Sequence, residues 1–216
     1  MKNFKKILVI GSHYDDVELG CGGTIARLVK EGADVTAVII SNSEIRDEKN
    51  KIIRSKKLAK DEGYKGLKII GIKKIINFNI KIFDINKNKN VISGKLNKII
   101  SNEKFDTLFT HWISDPHPDH KEMAHISIWL SRKIDNVFQY RSNYYFSDKT
   151  FIENYFFDIS STLETKKKAL LAHKSEMKRH NFDWYNYFIN ESINNGIKIN
   201  SKAAESFFSY KIVNKS

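Results

Sequence analysis

A chain of 216 residues with one cysteine, Cys21, cannot close a disulfide within itself. Its stability must come from a packed core, and a reducing cytoplasm is the expected compartment. Prolines are as scarce: there are two, Pro116 and Pro118. No proline- or glycine-rich linker and no internal repeat divides the chain, so one domain over residues 1–216 is expected. No apolar run approaches the ~20 residues needed to cross a bilayer, which argues against an integral membrane segment. The opening M-K-N-F-K-K-I-L-V-I-G is basic, but its apolar part is short and no small-residue cleavage site follows. It reads as a first strand rather than a signal peptide.

What the chain does have is a core and an excess of positive charge. Hydrophobic residues make up 41% and aromatics 12%, which suits a globular fold. Lys and Arg number 37 against 25 Asp and Glu, for a net charge of +12. Such a charge would suit nucleic acid, an anionic surface or an acidic substrate. Yet segments such as K-N-K-I-I-R-S-K-K and K-I-F-D-I-N-K-N-K-N scatter it, with no stripe interleaved with aromatics. The expectation is a solvated basic surface without a nucleic-acid partner.

Apolar patterning predicts strands at 6–10, 33–40, 67–70, 74–78 and 107–112, with a last one in A-E-S-F-F-S-Y-K-I-V. Helices are predicted at 22–31, closed by Gly32, at 44–62, closed by Gly63, and at 92–101, 118–134 and 161–180. Residues 137–146 read as extended. This alternation predicts an α/β fold, Rossmann-like, with a mostly parallel sheet covered by helices on both faces.

Ligands of such sheets bind at the carboxyl ends of the strands. Two unusual segments fall there: His13-Tyr14-Asp15-Asp16, after the first strand, and Asp115-Pro116-His117-Pro118-Asp119-His120, after the strand ending near Trp112. Pro118 fits the first turn of a helix, which puts His120 inside that turn and His117 just outside it. Buried carboxylates need a positive partner. His13, Asp16 and His120 form a two-histidine, one-carboxylate set, a known form of catalytic zinc site that leaves a position for water. Asp15 could then take a proton from that water. His117 could stabilise an oxyanion or protonate a leaving nitrogen, with Asp119 holding its ring.

With these residues, I-G-S-H-Y-D-D-V-E-L-G-C-G-G-T-I-A and H-P-D-H resemble the two motifs of the LmbE-like (PIG-L) family of zinc-dependent N-acetyl-sugar deacetylases. The likeness extends to Arg54, Ala59 and the E-G pair at 62–63. It continues through D-I-S-S-T-L-E-T-K-K-K-A-L-L-A-H-K-S at 158–175 and A-E-S-F-F at 204–208. It implies a Rossmann-like deacetylase that acts on an N-acetylated amino sugar or conjugate and carries zinc, with iron(II) the alternative ion. It implies His13, Asp16 and His120 as metal ligands, Asp15 as general base, and His117 with Asp119 as the acid and oxyanion pair. It further implies Arg54 as a substrate contact and allows a homo-oligomer. Two other readings stay open on residues alone: a metal hydrolase of another bond, such as a phosphoester, and a non-catalytic basic protein that binds nucleic acid.

Three departures stand out. Tyr14 replaces the family's usual proline, Val17 displaces Glu18 by one position, and Lys57 stands where many members have glutamate. Cys21 reads as a small buried residue, and His125 and His180 as structural or surface positions. His111 and His173 lie near the motifs without an assigned role. G-C-G-G lacks the G-x-G-x-x-G spacing, so no nicotinamide cofactor is expected.

Overall fold

The structure, a computed structural model, describes residues 4–215. In chain order its elements are β1 (Lys6–Gly11), α1 (Asp16–Lys30), β2 (Asp34–Ser41), β3 (Ile45–Arg46), β4 (Ile52–Arg54), α2 (Lys56–Ile69) and β5 (Lys74–Ile80). They continue with α3 (Lys89–Glu103), β6 (Thr107–His111), α4 (Pro118–Leu130), β7 (Asn136–Tyr140) and β8 (Tyr155–Asp158). The last are α5 (Leu163–Leu170), α6 (Lys174–Arg179), α7 (Asp183–Lys198) and β9 (Ala204–Ile212).

Seven strands form one sheet in the order β5-β2-β1-β6-β7-β9-β8. The first five run parallel, and β9 and β8 close the far edge antiparallel. Alternation along β1 shows why the sheet needs two helical layers. Ile7 and Val9 pack into a core with Ile25 of α1, Leu67 of α2 and Ala169 of α5. Leu8 and Ile10 face Ile92 and Leu96 of α3 and Met123 of α4. All four strand residues are fully buried, as a doubly covered sheet requires. From β1 the chain steps outward to β2 on one side, and later to β6 on the other. The carboxyl ends of β1 and β6 therefore flank the crevice where the strand order reverses.

Several expected boundaries move. The first helix begins at Asp16, six residues early, and is kinked at Cys21, whose φ of −147° is non-helical. Gly32 does end it, at φ +94°, the left-handed position a helix terminus favours. Residues 44–54 form the β3–β4 hairpin rather than the start of a helix, and α2 runs straight through Gly63. A Cβ at Gly63 would lie 2.2 Å from Tyr14 Cδ1, so this glycine serves close packing, not termination. The expected strand at 67–70 is the last turn and cap of α2. The long helix at 161–180 divides into α5 and α6, while α7 and β8 are additions. No helix of the described residues is long and apolar enough to cross a membrane.

Candidate active site

The loop from β1 into α1 is held by its own backbone. Asp15 caps α1 at φ +121°, a strained value for a residue with a side chain. The His13 amide donates to Asp16 Oδ2 at 2.7 Å, and the Tyr14 amide donates to Ser43 Oγ at 2.9 Å. Tyr14 therefore does not loosen the turn; its ring is 1% exposed and packs beside Tyr64. Across the crevice, α4 starts as expected, with Pro118 in its first turn and His117 as its cap. His117 Nδ1 accepts the Asp119 amide at 3.2 Å.

These two loops converge. His13 Nδ1 lies 3.2 Å from His120 Nε2, Asp16 Oδ2 lies 3.5 Å from His13 Nδ1, and Asp16 Oδ1 lies 3.2 Å from His120 Nε2. Bonds of ~2.0–2.1 Å to a tetrahedral ion place neighbouring donors ~3.3 Å apart, so the donor spacing suits one. In that set a different Asp16 oxygen faces each histidine; with one donor atom per residue, two triplets among the described residues lie within 4.8 Å of one another: His13, His117 and His120, and Asp16, His111 and His120. In the latter, His111 Nε2 already accepts the Ser12 amide at 3.0 Å, which uses its lone pair. His111, fully buried, stacks on His120 at 4.1 Å and serves as its backing.

Supporting contacts come from residues that local pattern does not mark. Asp115 Oδ1 sits 3.3 Å from His120 Nδ1, and Asn143 donates to both Asp115 oxygens at 2.8 and 2.9 Å. Ser142 Oγ donates to Asp16 Oδ1 at 2.8 Å. Ser142 and Asn143 follow β7, the next strand across, so their only sequence signal is their place at a parallel strand's end. Asp119 departs from its expected part. Its carboxylate lies 3.1 Å from His13 Nε2 and accepts the Phe83 amide at 2.8 Å, so it steadies His13 rather than the ring of His117.

The charges follow from this packing. Burial pulls His13 and His120 down, but neighbouring carboxylates outweigh it. Asp119 and Asp16 push His13 up to about 9, and Asp16 and Asp115 push His120 up to about 10. Burial pushes Asp16 up, yet His120 and His111 hold it well below the carboxylate range. The cluster thus demands positive charge. Burial, then repulsion from His120 and His13, depresses His117 to about 3. A neutral His117 whose Nδ1 accepts an amide carries its proton on Nε2. Asp15 is pushed up to about 7 by burial and by Asp16. No hydrogen bond reaches its carboxylate among the described residues, and it lines the same cavity, of about 240 Å³, as His13, Asp16, His117 and His120.

Arg54 is neither solvated nor free. It is 2% exposed and pairs with Glu62 at 3.2 Å and Glu176 at 3.3 Å, while its edge lines the cavity. Lys57 instead reaches solvent and pairs with Asp61. The displaced Glu18 is fully buried and meets His173 at 2.9 Å beneath α1. His180, expected at the surface, stacks on Trp184 at 3.9 Å, and both line the cavity.

A family model, GlcNAc-PI de-N-acetylase (PIG-L), matches residues 8–129, more than half of the chain. The "Uncharacterized deacetylase YaiS" of Escherichia coli K12 is 29% identical over 143 residues, 64% of this chain and 74% of that protein. Diacetylchitobiose deacetylase of Thermococcus kodakarensis is 24% identical over 191 residues, 80% of this chain and 70% of that protein. The structure of N,N'-diacetylchitobiose deacetylase from Pyrococcus horikoshii superposes with a TM-score of 0.78 at 23% identity, covering 95% of this chain and 83% of that one. GalB of Pseudomonas putida, a 4-carboxy-2-hydroxymuconate hydratase, shares the fold at a TM-score of 0.77, 16% identity and 98% coverage of both chains. At these identities the two structures speak for the fold alone, and the hydratase shows that the fold does not dictate one reaction.

Proposed function

The chain belongs to the GlcNAc-PI de-N-acetylase (PIG-L) family, and from that premise we propose that it is a metal-dependent hydrolase removing the acetyl group from an N-acetylated amino sugar or conjugate. The observation that carries this reading is the approach of His13 Nδ1 and His120 Nε2 to 3.2 Å, each facing one Asp16 oxygen at 3.2–3.5 Å, at a cavity that also presents Asp15 and His117. His13, Asp16 and His120 would hold the ion, zinc or iron(II). When bound there, zinc supplies a Lewis acid that polarises an amide carbonyl and brings the pKa of a bound water down to ~7.

The chain's own residues supply the remaining chemistry. The Asp15 carboxylate takes the proton of the attacking water as the water's oxygen joins the acetyl carbon. His117 Nε2–H donates to the carbonyl oxygen as negative charge gathers there. The C–N bond then breaks, the proton held by Asp15 passes to nitrogen, and acetate and a free amine result. Asp119 and Asp115 orient His13 and His120 through the ring nitrogens turned away from the ion. Arg54, its charge met by Glu62 and Glu176, shapes the cavity wall and offers its edge to substrate. We place it in the cytoplasm, a compartment that suits a chain with a single, free cysteine.

The test is acetate release from N-acetylglucosamine and N,N'-diacetylchitobiose, with metal content measured on wild type and His120→Ala. Near one ion per chain, lost in the variant together with acetate release, is expected. Metal-loaded wild type that frees no acetate from any N-acetyl sugar would overturn the reading.

A further inference from the structure

Phe83, in the loop after β5, lies outside both motifs, yet three features tie it to the site. Its backbone sits at φ +65°, where a bulky side chain is a rare outlier and signals an imposed conformation. That conformation directs its amide to Asp119 Oδ2 at 2.8 Å, and the same oxygen lies 3.1 Å from His13 Nε2. Its ring lies parallel to His117, tilted by 8° with centroids 5.4 Å apart. At 64% exposed, the ring is not there to fill a core. It lines the cavity beside His117.

We infer that Phe83 is a positioning residue that steadies the site from outside both motifs, its amide fixing His13 through Asp119 and its ring fixing His117. The inference rests on the deacetylase reading for its kinetic arm only. The amide governs metal retention, because outer contacts that orient a ligating histidine commonly change affinity 10–100-fold. The ring governs the chemical step, because it restrains the direction in which His117 Nε2–H points at the carbonyl oxygen. Glycine keeps the amide and accepts φ +65° but removes the ring. Proline removes amide and ring together and cannot hold φ +65°, so it is read against Phe83→Gly, and amide exchange isolates the contact.

In Phe83→Gly, zinc affinity by chelator competition should stay within threefold of wild type and the melting temperature should not fall. Its kcat for acetate release should drop about tenfold with KM changed less than threefold, and Phe83→Tyr should restore kcat. Phe83→Pro, if folded by circular dichroism, should lose ~10–100-fold in zinc affinity. A kcat within twofold of wild type in Phe83→Gly would overturn the role of the ring. Wild-type zinc affinity in Phe83→Pro would overturn the role of the amide. Exchange of the Phe83 amide, which leaves the backbone at 83 untouched, judges the contact itself: at least tenfold faster in Asp119→Ala is expected, and equal rates would refute it. If wild type frees no acetate, the deacetylase reading fails, while the zinc and exchange measurements still judge this one.

Discussion

The two halves of α1 each carry a buried ionic cluster, and they are built to opposite ends. The kink at Cys21 breaks the bond that an unbroken helix would make between the Gly23 amide and the Leu19 carbonyl. Glu205 takes the Gly23 and Thr24 amides at 2.9 and 2.7 Å, Lys166 takes the Leu19 carbonyl at 2.9 Å, and the two side chains meet at 2.6 Å. The two amides and the Leu19 carbonyl each find a partner, and the charges of Lys166 and Glu205 meet one another. At the helix start the accounting differs. Asp16 is satisfied, but His13 Nδ1 and His120 Nε2 face each other, and among the described residues no hydrogen bond reaches the Asp15 carboxylate. A cluster that closes on itself holds the fold, whereas one with donor atoms left facing a cavity awaits something else.

That contrast can be broken from either side. The largest effect should come from Asp15→Asn, which should cut kcat by ~10²–10⁴-fold while leaving the melting temperature equal or higher, read by acetate assay and calorimetry. Lys166→Met should do the reverse. It strands the Glu205 carboxylate and should cost ~3–5 kcal/mol, or about 6–20 °C in melting temperature, with metal content unchanged. Adding Glu205→Gln should recover part of that loss. Gly20→Ala should affect both clusters, because its new Cβ would fall within the ring of Tyr140, two residues before Ser142. Overpacking of ~1–3 kcal/mol and reduced turnover are expected together.

The smallest effect concerns acid. Burial raises Glu176, but His180, Arg179 and Arg54 outweigh it and hold the carboxyl at about 2. A lowered carboxyl adds stability above its unfolded value, near 4.5, and loses it as pH falls towards 2. Urea melts of Glu176→Gln across that interval should show a shallower decline than wild type. An identical slope would mean that the Glu176 carboxyl titrates alike in the folded and unfolded chain.

What could be read from residue order alone was whatever is local. Pro118 fixed the start of α4 and so the places of His117 and His120, and Gly32 marked the end of α1. The misreadings share a cause. Residues 44–54 are rich in Glu, Lys and Arg, which suit helices, but Asp47 caps a turn by accepting the Lys49 and Lys51 amides, and a hairpin results. The apolar run at 67–70 fits a strand as well as the buried last turn of a helix, and only packing against the sheet decides. The Asn-rich α7 has weak intrinsic preference and is held by Phe188 and Ile189 in a separate small core. Within the site, the six motif residues were visible because they lie in two short runs. Asp119's choice of His13 over its neighbour His117, and the arrival of Phe83, Ser142 and Asn143, are decided by chain folding over tens of residues.

Tyr14 and Gly63 constrain one another. The tyrosine occupies the space beside α2 that a side chain at 63 would need, and its amide is committed to Ser43. Proline at 14, the usual family choice, would sever that contact and leave a tyrosine-sized hollow against α2. A larger residue at 63 has no room until the tyrosine is gone. The two positions are therefore coupled, and Tyr14→Ala with Gly63→Ala should cost less together than the sum of the two changes made singly.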